Sequence, residues 1–276
     1  FKFLNNRAQN TLKIKNKSGN TIYIGKVSGV KSGMEINFAN KSLFIESYPL
    51  IEDISTDFAI YNIAATNPIK IIKQLLDASV DASYTVSKIH GLATVLSGIS
   101  ISVDTDGKEE NTKSIIQSIC EAFNIGVYLE DLTVRAYAAQ VLPDDATDIT
   151  PYLVNLRPKF TSRGDLYADK IMLTYTPTLG GTEATITAGT GDTAKEITIS
   201  APIFIDATSA GIAAERARAI YSQELYEAEL EADKTAMFKL GDTVKYPSEL
   251  GNFICLIIGK NTTRNQITYK VLGVLK

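Results

Sequence analysis

The stretch Asn111-Thr112-Lys113-Ser114-Ile115-Ile116-Gln117-Ser118-Ile119-Cys120-Glu121-Ala122-Phe123-Asn124-Ile125-Gly126-Val127-Tyr128-Leu129-Glu130-Asp131-Leu132-Thr133-Val134-Arg135 switches hydrophobic period part-way through. Ile115, Ile116, Ile119 and Phe123 share one helical stripe. Asn111-Thr112 opens that helix, and Asn124-Ile125-Gly126 closes it, glycine being a common helix stop. Val127-Tyr128-Leu129, Glu130-Asp131 and Leu132-Thr133-Val134 then read as a short hairpin packed behind the helix. With runs of strands before and after such helical and hairpin inserts, the order of elements points to an α+β chain.

Upstream, Asn67-Pro68 predicts another helix start, with Asn as cap and Pro at the first helical position. Ile69, Ile72, Leu75 and Leu76 follow at helical spacing. The first fifty residues read as strands. Leu12 and Ile14 alternate with Lys13 and Lys15, the turn cluster Asn16 to Asn20 follows, and Thr21 to Ile24 makes a second run. Met34, Ile36 and Phe38 alternate with Glu35 and Asn37, and Gly25, Gly29 and Gly33 suggest bulges or tight corners.

Downstream, Pro143-Asp144-Asp145 with Pro151 marks a connection. Ile171, Leu173 and Tyr175 alternate with Met172 and Thr174, Gly180-Gly181 is a turn, and 184–187 and 196–199 are further strands. Asp206 to Thr208 caps a helix through Ala213, Ala217 and Ile220. Tyr226 to Ala232 has period two with Glu227, Glu229 and Glu231 on a wet face, although Glu, Ala and Leu also favour a longer helix. Leu240-Gly241-Asp242 turns the chain into closing strands at 253–258 and 266–274. The expected architecture is α+β, with two β-barrel-like domains carrying helical and hairpin inserts. Its divisions are a first barrel region at 1–54 whose start reads as cut short, a middle α/β insert at 55–165, and a second barrel region with one helix at 166–276.

Composition narrows function by exclusion. The 276 residues suffice for about two domains at roughly 100–200 residues each. With 45% hydrophobic and 21% charged residues, the chain has the composition of a folded protein rather than a disordered one. A net charge of −3, without clustered Lys and Arg among aromatics, gives specific nucleic-acid binding no support. Two cysteines, Cys120 and Cys255, each in an apolar run, read as buried thiols of a protein folded in a reducing cytoplasm, with no metal or redox spacing. No run of 18 apolar residues and no signal-peptide pattern occur, so no membrane partner is expected.

Candidate chemistry is thin. His90 is the lone histidine, beside Gly91, and reads as a loop residue. Asp104-Thr105-Asp106-Gly107 has glycine at the fourth position where a calcium loop needs it at the sixth, so it reads as a plain turn. Asp144, Asp145 and Asp148 read as a solvated loop, and Gly189-Thr190-Gly191-Asp192 lacks the Lys of a phosphate loop. Arg163-Gly164-Asp165 and Asn261-Thr262-Thr263 match short tripeptide motifs that recur by chance. No catalytic, cofactor-binding or metal-ligating residue is nominated, no cofactor is expected, and the chain reads as non-enzymatic.

Five segments in order resemble the phage tail hub (baseplate hub, tail-tip) family. They are Asn67 to Leu76, Ser114 to Arg135, Asp169 to Tyr175, the Ala/Arg helix Ala213 to Ala219 with Tyr221, and Leu240-Gly241-Asp242-Thr243-Val244. The resemblance covers roughly 55–274, and 1–50 resembles the first barrel of such a hub. It implies a virion structural protein of a phage or prophage tail, assembled in the bacterial host cytoplasm. Three copies would form a ring in which paired barrels meet the tail tube with pseudo-sixfold symmetry, and a spike, tip or tape-measure protein would sit at the other end. No lysozyme-like insertion is seen, so no peptidoglycan hydrolysis is implied. The competing expectation is a receptor- or carbohydrate-binding adhesin module, recognisable by a shallow aromatic patch. An enzyme is a third, and would need a cleft with perturbed titratable groups.

Overall fold

The computed structural model describes residues 11–15, 21–30, 45–49, 58–79, 96–130, 133–138, 146–190, 194–200, 202–263 and 266–276. Strands β1 (Thr11–Lys15), β2 (Thr21–Val30) and β3 (Ile45–Pro49) form an antiparallel meander. The β2–β3 register shifts between Val27 and Gly29, a bulge at one of the glycines expected to supply one. The run Met34 to Phe38 and Gly33 lie outside the described residues.

Next come β4 (Phe58–Ala59), β5 (Asn62–Thr66), α1 (Pro68–Ser79), β6 (Ile101–Asp104), β7 (Glu110–Asn111), α2 (Thr112–Phe123), β8 (Ile125–Glu130) and β9 (Thr133–Ala138). Both helices start where Asn predicts. Asn67 Oδ1 accepts from the Ile69 amide at 3.0 Å, and Asn111 Oδ1 from the Ser114 amide at 3.0 Å. Helix α2 ends where expected, but Asn124 rather than the glycine caps it. Asn124, with φ 51 and ψ 50, takes the left-handed cap, and its amide bonds back to Glu121. Gly126 instead lies inside β8, where the ring of Tyr137 covers it so closely that a Cβ would sit 2.3 Å from Cζ.

The remainder is β10 (Thr147–Asp148), β11 (Thr161–Ser162), β12 (Lys170–Tyr175), β13 (Ala184–Gly189), β14 (Ala194–Thr198), β15 (Ile203–Ile205), α3 (Ala207–Tyr221), β16 (Leu225–Ala232), β17 (Thr243–Ser248), β18 (Gly251–Thr262) and β19 (Ile267–Leu275). Asp206 caps α3, accepting from the Ser209 amide at 2.9 Å. Strand β12 is central, antiparallel to β13 and parallel to β14. Although a short link joins β13 to β14, they are not a hairpin. Segment 226–232 is a strand rather than a longer helix, because β16 pairs along its whole length with β19.

Two main cores result. In the first, Ile71, Leu75, Ile115, Ile119 and Phe123 pack with Ile171 and Leu173 of β12 and with the β15-β6-β5 sheet. Ala210, Ala213, Ala214 and Ala217 let α3 approach β12 and β13 closely. Full burial of each Leu, Ile or Phe here contributes about 1.5–3 kcal/mol. The second core lies on one face of the sheet β10-β17-β18-β19-β16-β11, around Val244, Cys255, Ile257 and Tyr269. Leu225, Ile254, Leu256 and Val274 line the opposite face. That explains the unbroken apolar run Phe253 to Ile258: β18 is buried on both sides.

The chain is therefore mixed α+β and mostly sheet. Among the described residues each sheet is open, and none closes into a barrel. The six-stranded sheet ends on β10 and β11, two residues each, which among the described residues pair on one side only. These edge strands come from before residue 166, and β15 from after it pairs with β6. The middle and last parts of the sequence thus share sheets. Tyr137 adds a further tie. Its ring packs on Gly126 and Gly241, and its hydroxyl donates to the Ile258 carbonyl at 3.4 Å.

Candidate interaction surface

The prominent concavity among the described residues is a groove of about 900 Å³ at one end of the six-stranded sheet. Its floor is aromatic. Phe160 stacks on Phe253 with centroids 3.8 Å apart and planes 6° from parallel, and on Tyr246 at 5.6 Å. Tyr226 meets Phe253 edge-on at 5.3 Å. One wall is the 156–158 segment, pinned where the Tyr246 hydroxyl donates to the Leu156 carbonyl at 2.9 Å. The other is the β17–β18 turn, held by the Ser248 hydroxyl donating to the Gly251 carbonyl at 2.8 Å. Leu156 is 63% exposed and Leu250 80%, so the rim offers aliphatic side chains to solvent. Arg157 and Glu249 place opposite charges on the two walls.

No local motif announces this groove. Phe160, Tyr226, Tyr246 and Phe253 come from four separate segments, and only the pairing of β17, β18, β19, β16 and β11 in one sheet assembles them. The groove has contact chemistry: aromatic edges, aliphatic rim and one charge of each sign. Among the described residues, no group of three or more His, Cys, Asp or Glu could hold a metal ion, and no helix is long and apolar enough to cross a membrane.

The other residues singled out have structural explanations where they are described. Asp104 to Gly107 is a turn, with the Asp106 amide donating to Asp104 Oδ1 at 3.0 Å and Asp106 and Gly107 at positive φ. His90, Asp144, Asp145, Gly191 and Asp192 lie outside the described residues, while Asp148 accepts from the Thr150 amide at 2.8 Å. Thr263 closes a turn with Gln266. Arg163 folds back on Asp165 through two bonds of 2.9 and 2.8 Å and reaches Glu227 at 2.6 Å, so the tripeptide is locked against its own sheet.

Lys270 also reaches Glu227, at 2.9 Å. Hydrogen bonds from Lys270 and then Arg163 hold the Glu227 carboxyl below the usual carboxylate range. A depressed carboxyl contributes stability above its unfolded pKa and loses it as pH falls through the folded value. Glu227→Gln should therefore cost a fraction of a kcal/mol at pH 7, since the pair is partly screened. That difference should shrink between pH 7 and an acid pH below the folded-state pKa, where the carboxyl is protonated in both states. Urea midpoints at the two pH values check this, and an equal deficit at both would contradict it.

Burial pushes both thiols up to about 12, with Glu121 adding to the effect at Cys120. Cys255 is fully buried and Cys120 half-buried. The thiolate is the reactive form. At pH 8 a disulfide-exchange reagent should leave both cysteines unmodified in the folded protein and titrate both in denaturant, and rapid labelling of the folded chain would refute their placement.

No family model matches the sequence, and no curated protein matches it. Solved structures do resemble the fold. Prophage tail protein gp18 from Listeria monocytogenes EGD-e aligns over 96% of this chain and 82% of its own, with TM-score 0.56 at 11% identity. The tail protein from Neisseria meningitidis MC58 aligns over 92% and 81%, with TM-score 0.56 at 13% identity. The 43 kDa tail protein of prophage MuSo2 from Shewanella oneidensis aligns over 96% and 88%, with TM-score 0.52 at 12% identity. The fold of this chain is that of phage tail proteins.

Proposed function

We propose that the chain is a structural, non-enzymatic component of a phage or prophage tail, located in the virion tail. More specifically, we read it as a hub at the distal end, where three copies close a ring between the tail tube and a tip, spike or tape-measure protein. The observation that carries this reading is fold likeness to a prophage tail protein across 96% of the chain. In this reading the regions 1–54 and 166–276 supply the two tube-facing barrels and 55–165 the insert between them. The strands shared between the last two regions would keep those parts rigid relative to each other. Barrel closure would come from neighbouring copies across the open sheet edges, in a heterologous cyclic contact.

Light scattering on a sizing column, over a range of concentration and with the tube protein added, tests it. A mass of three times 30.0 kDa, or twice that where rings pair, that captures the tube protein is the expected result. A single chain that neither closes nor binds the tube protein overturns the hub.

One observation favours the second reading, an adhesin module: the aromatic groove around Phe160 and Tyr246. Sugar recognition uses open aromatic faces, however, and here Phe160 spends a face on Phe253. The exposed Leu156 and Leu250 suit a protein partner better. Glycan-array binding lost in Tyr246→Ala would revive the adhesin.

A further inference from the structure

We propose that the outer edge of β13 pairs with the same edge of a second copy of this chain, antiparallel about a two-fold axis midway between the two copies of Ile186. Strand β13 is one edge of the sheet β13-β12-β14, and among the described residues no strand pairs with its outer side. Unpaired edges are usually blunted by charge, proline or a bulge. The opposite edge, β14, carries Lys195 and Glu196. Strand β13 reads Ala184-Thr185-Ile186-Thr187-Ala188-Gly189, with no charge, no proline and an unbroken register against β12.

Its first five residues read the same in both directions. Antiparallel pairing centred on Ile186 sets Ile186 against Ile186, Thr185 against Thr187, and Ala184 against Ala188. A sequence that mirrors itself is what an isologous contact needs, since each side must complement its own copy. Thr185 and Thr187 are exposed, and directly opposed threonines are a favourable cross-strand pair. Ile186 faces α3, near Gly211.

The second layer fits the same symmetry. Helix α3 packs over both β12 and β13. With strands about 4.8 Å apart, the two α3 helices would lie about 10 Å apart, within the usual helix-pair range. The contact thus becomes a continuous sheet of six strands with two helices on one face. A contact this small is concentration-dependent, and it is separate from the ring of the hub reading.

The test is the solution mass, against concentration, of the full chain and two double variants at these exposed positions. T185K/T187K sets lysine against lysine across the axis and should weaken association about 10-fold or more. T185K/T187E sets lysine against glutamate and should restore it. Circular dichroism checks that all three are folded. The wild type should show an even number of chains: two, or six where a ring of three also forms. A mass of one or three chains throughout, a T185K/T187K variant that associates like the wild type, or a T185K/T187E variant that fails to recover would each overturn the pairing. A three-chain ring unmoved by T185K/T187K would overturn it while leaving the hub reading standing.

Discussion

Tyr269→Ala should lower stability by about 3–5 kcal/mol, and Tyr269→Phe by about 1–3 kcal/mol. Tyr269 is fully buried on β19, in the core beneath the six-stranded sheet. Phe238 meets its ring edge-on with centroids 6.0 Å apart, and Lys260 Nζ stands 5.6 Å from the ring centre. Its hydroxyl donates to the carbonyl of buried Ala236 at 2.9 Å. Alanine therefore removes an aromatic ring's packing and opens a cavity that β-sheet walls cannot collapse to fill. Phenylalanine keeps the packing but strands the Ala236 carbonyl without its donor. Burial also pushes the hydroxyl's pKa up, so it remains a donor across the neutral range. Urea unfolding followed by far-ultraviolet circular dichroism measures both variants. If Tyr269→Phe matched the alanine variant, the hydrogen bond rather than the ring would be the main contribution, and the packing argument would be wrong.

Gly189→Ala should cost about 3–4 kcal/mol, although only one methyl is added. Gly189 ends β13 opposite Lys170 with φ 84, which an L-residue adopts at a cost of about 1–2 kcal/mol. A Cβ there would stand 2.0 Å from the Asp169 carbonyl oxygen and 2.8 Å from Cδ of Arg218. The arginine can swing away, but the carbonyl belongs to the backbone leading into β12, so the strand pair itself must open. Hydrogen exchange should report faster exchange at Ile171 and Ala188, while Tyr269 and its neighbours keep their protection. A variant within about 0.5 kcal/mol of the wild type would show that the backbone relaxes at little cost and that β13 is not anchored there.

Those two residues differ in how visible they are in the sequence. The period of Ile171, Leu173 and Tyr175 announces β12 because strand alternation is a local property of the chain. The starts of α1, α2 and α3 are equally local, since Asn67, Asn111 and Asp206 each bond an amide two or three residues on. Gly189 opens the glycine-rich stretch Gly189-Thr190-Gly191-Asp192, and nothing adjacent in the sequence reveals that Asp169 closes on it. Gly126 is misread for the same reason, because the ring that needs its missing side chain is eleven residues away on the next strand. The partners of Arg163 are also unforeseen, with Glu227 arriving from a strand 64 residues later.

The sequence by itself determined the class: α+β, strand-rich, with capped helices in the middle. Those properties are written in short-range periodicity, caps and composition. Only the tertiary structure decided which strands meet. It gave β10 and β11 to the last sheet, β15 to the middle one, and β12 a parallel and an antiparallel neighbour at once. It also built the aromatic groove from four separated segments and left the β13 edge without a partner among the described residues. The physical reason is that strand pairing leaves every residue's local pattern unchanged. Its backbone hydrogen bonds can be satisfied by any strand of suitable register, and the choice among them is made by packing across the whole core.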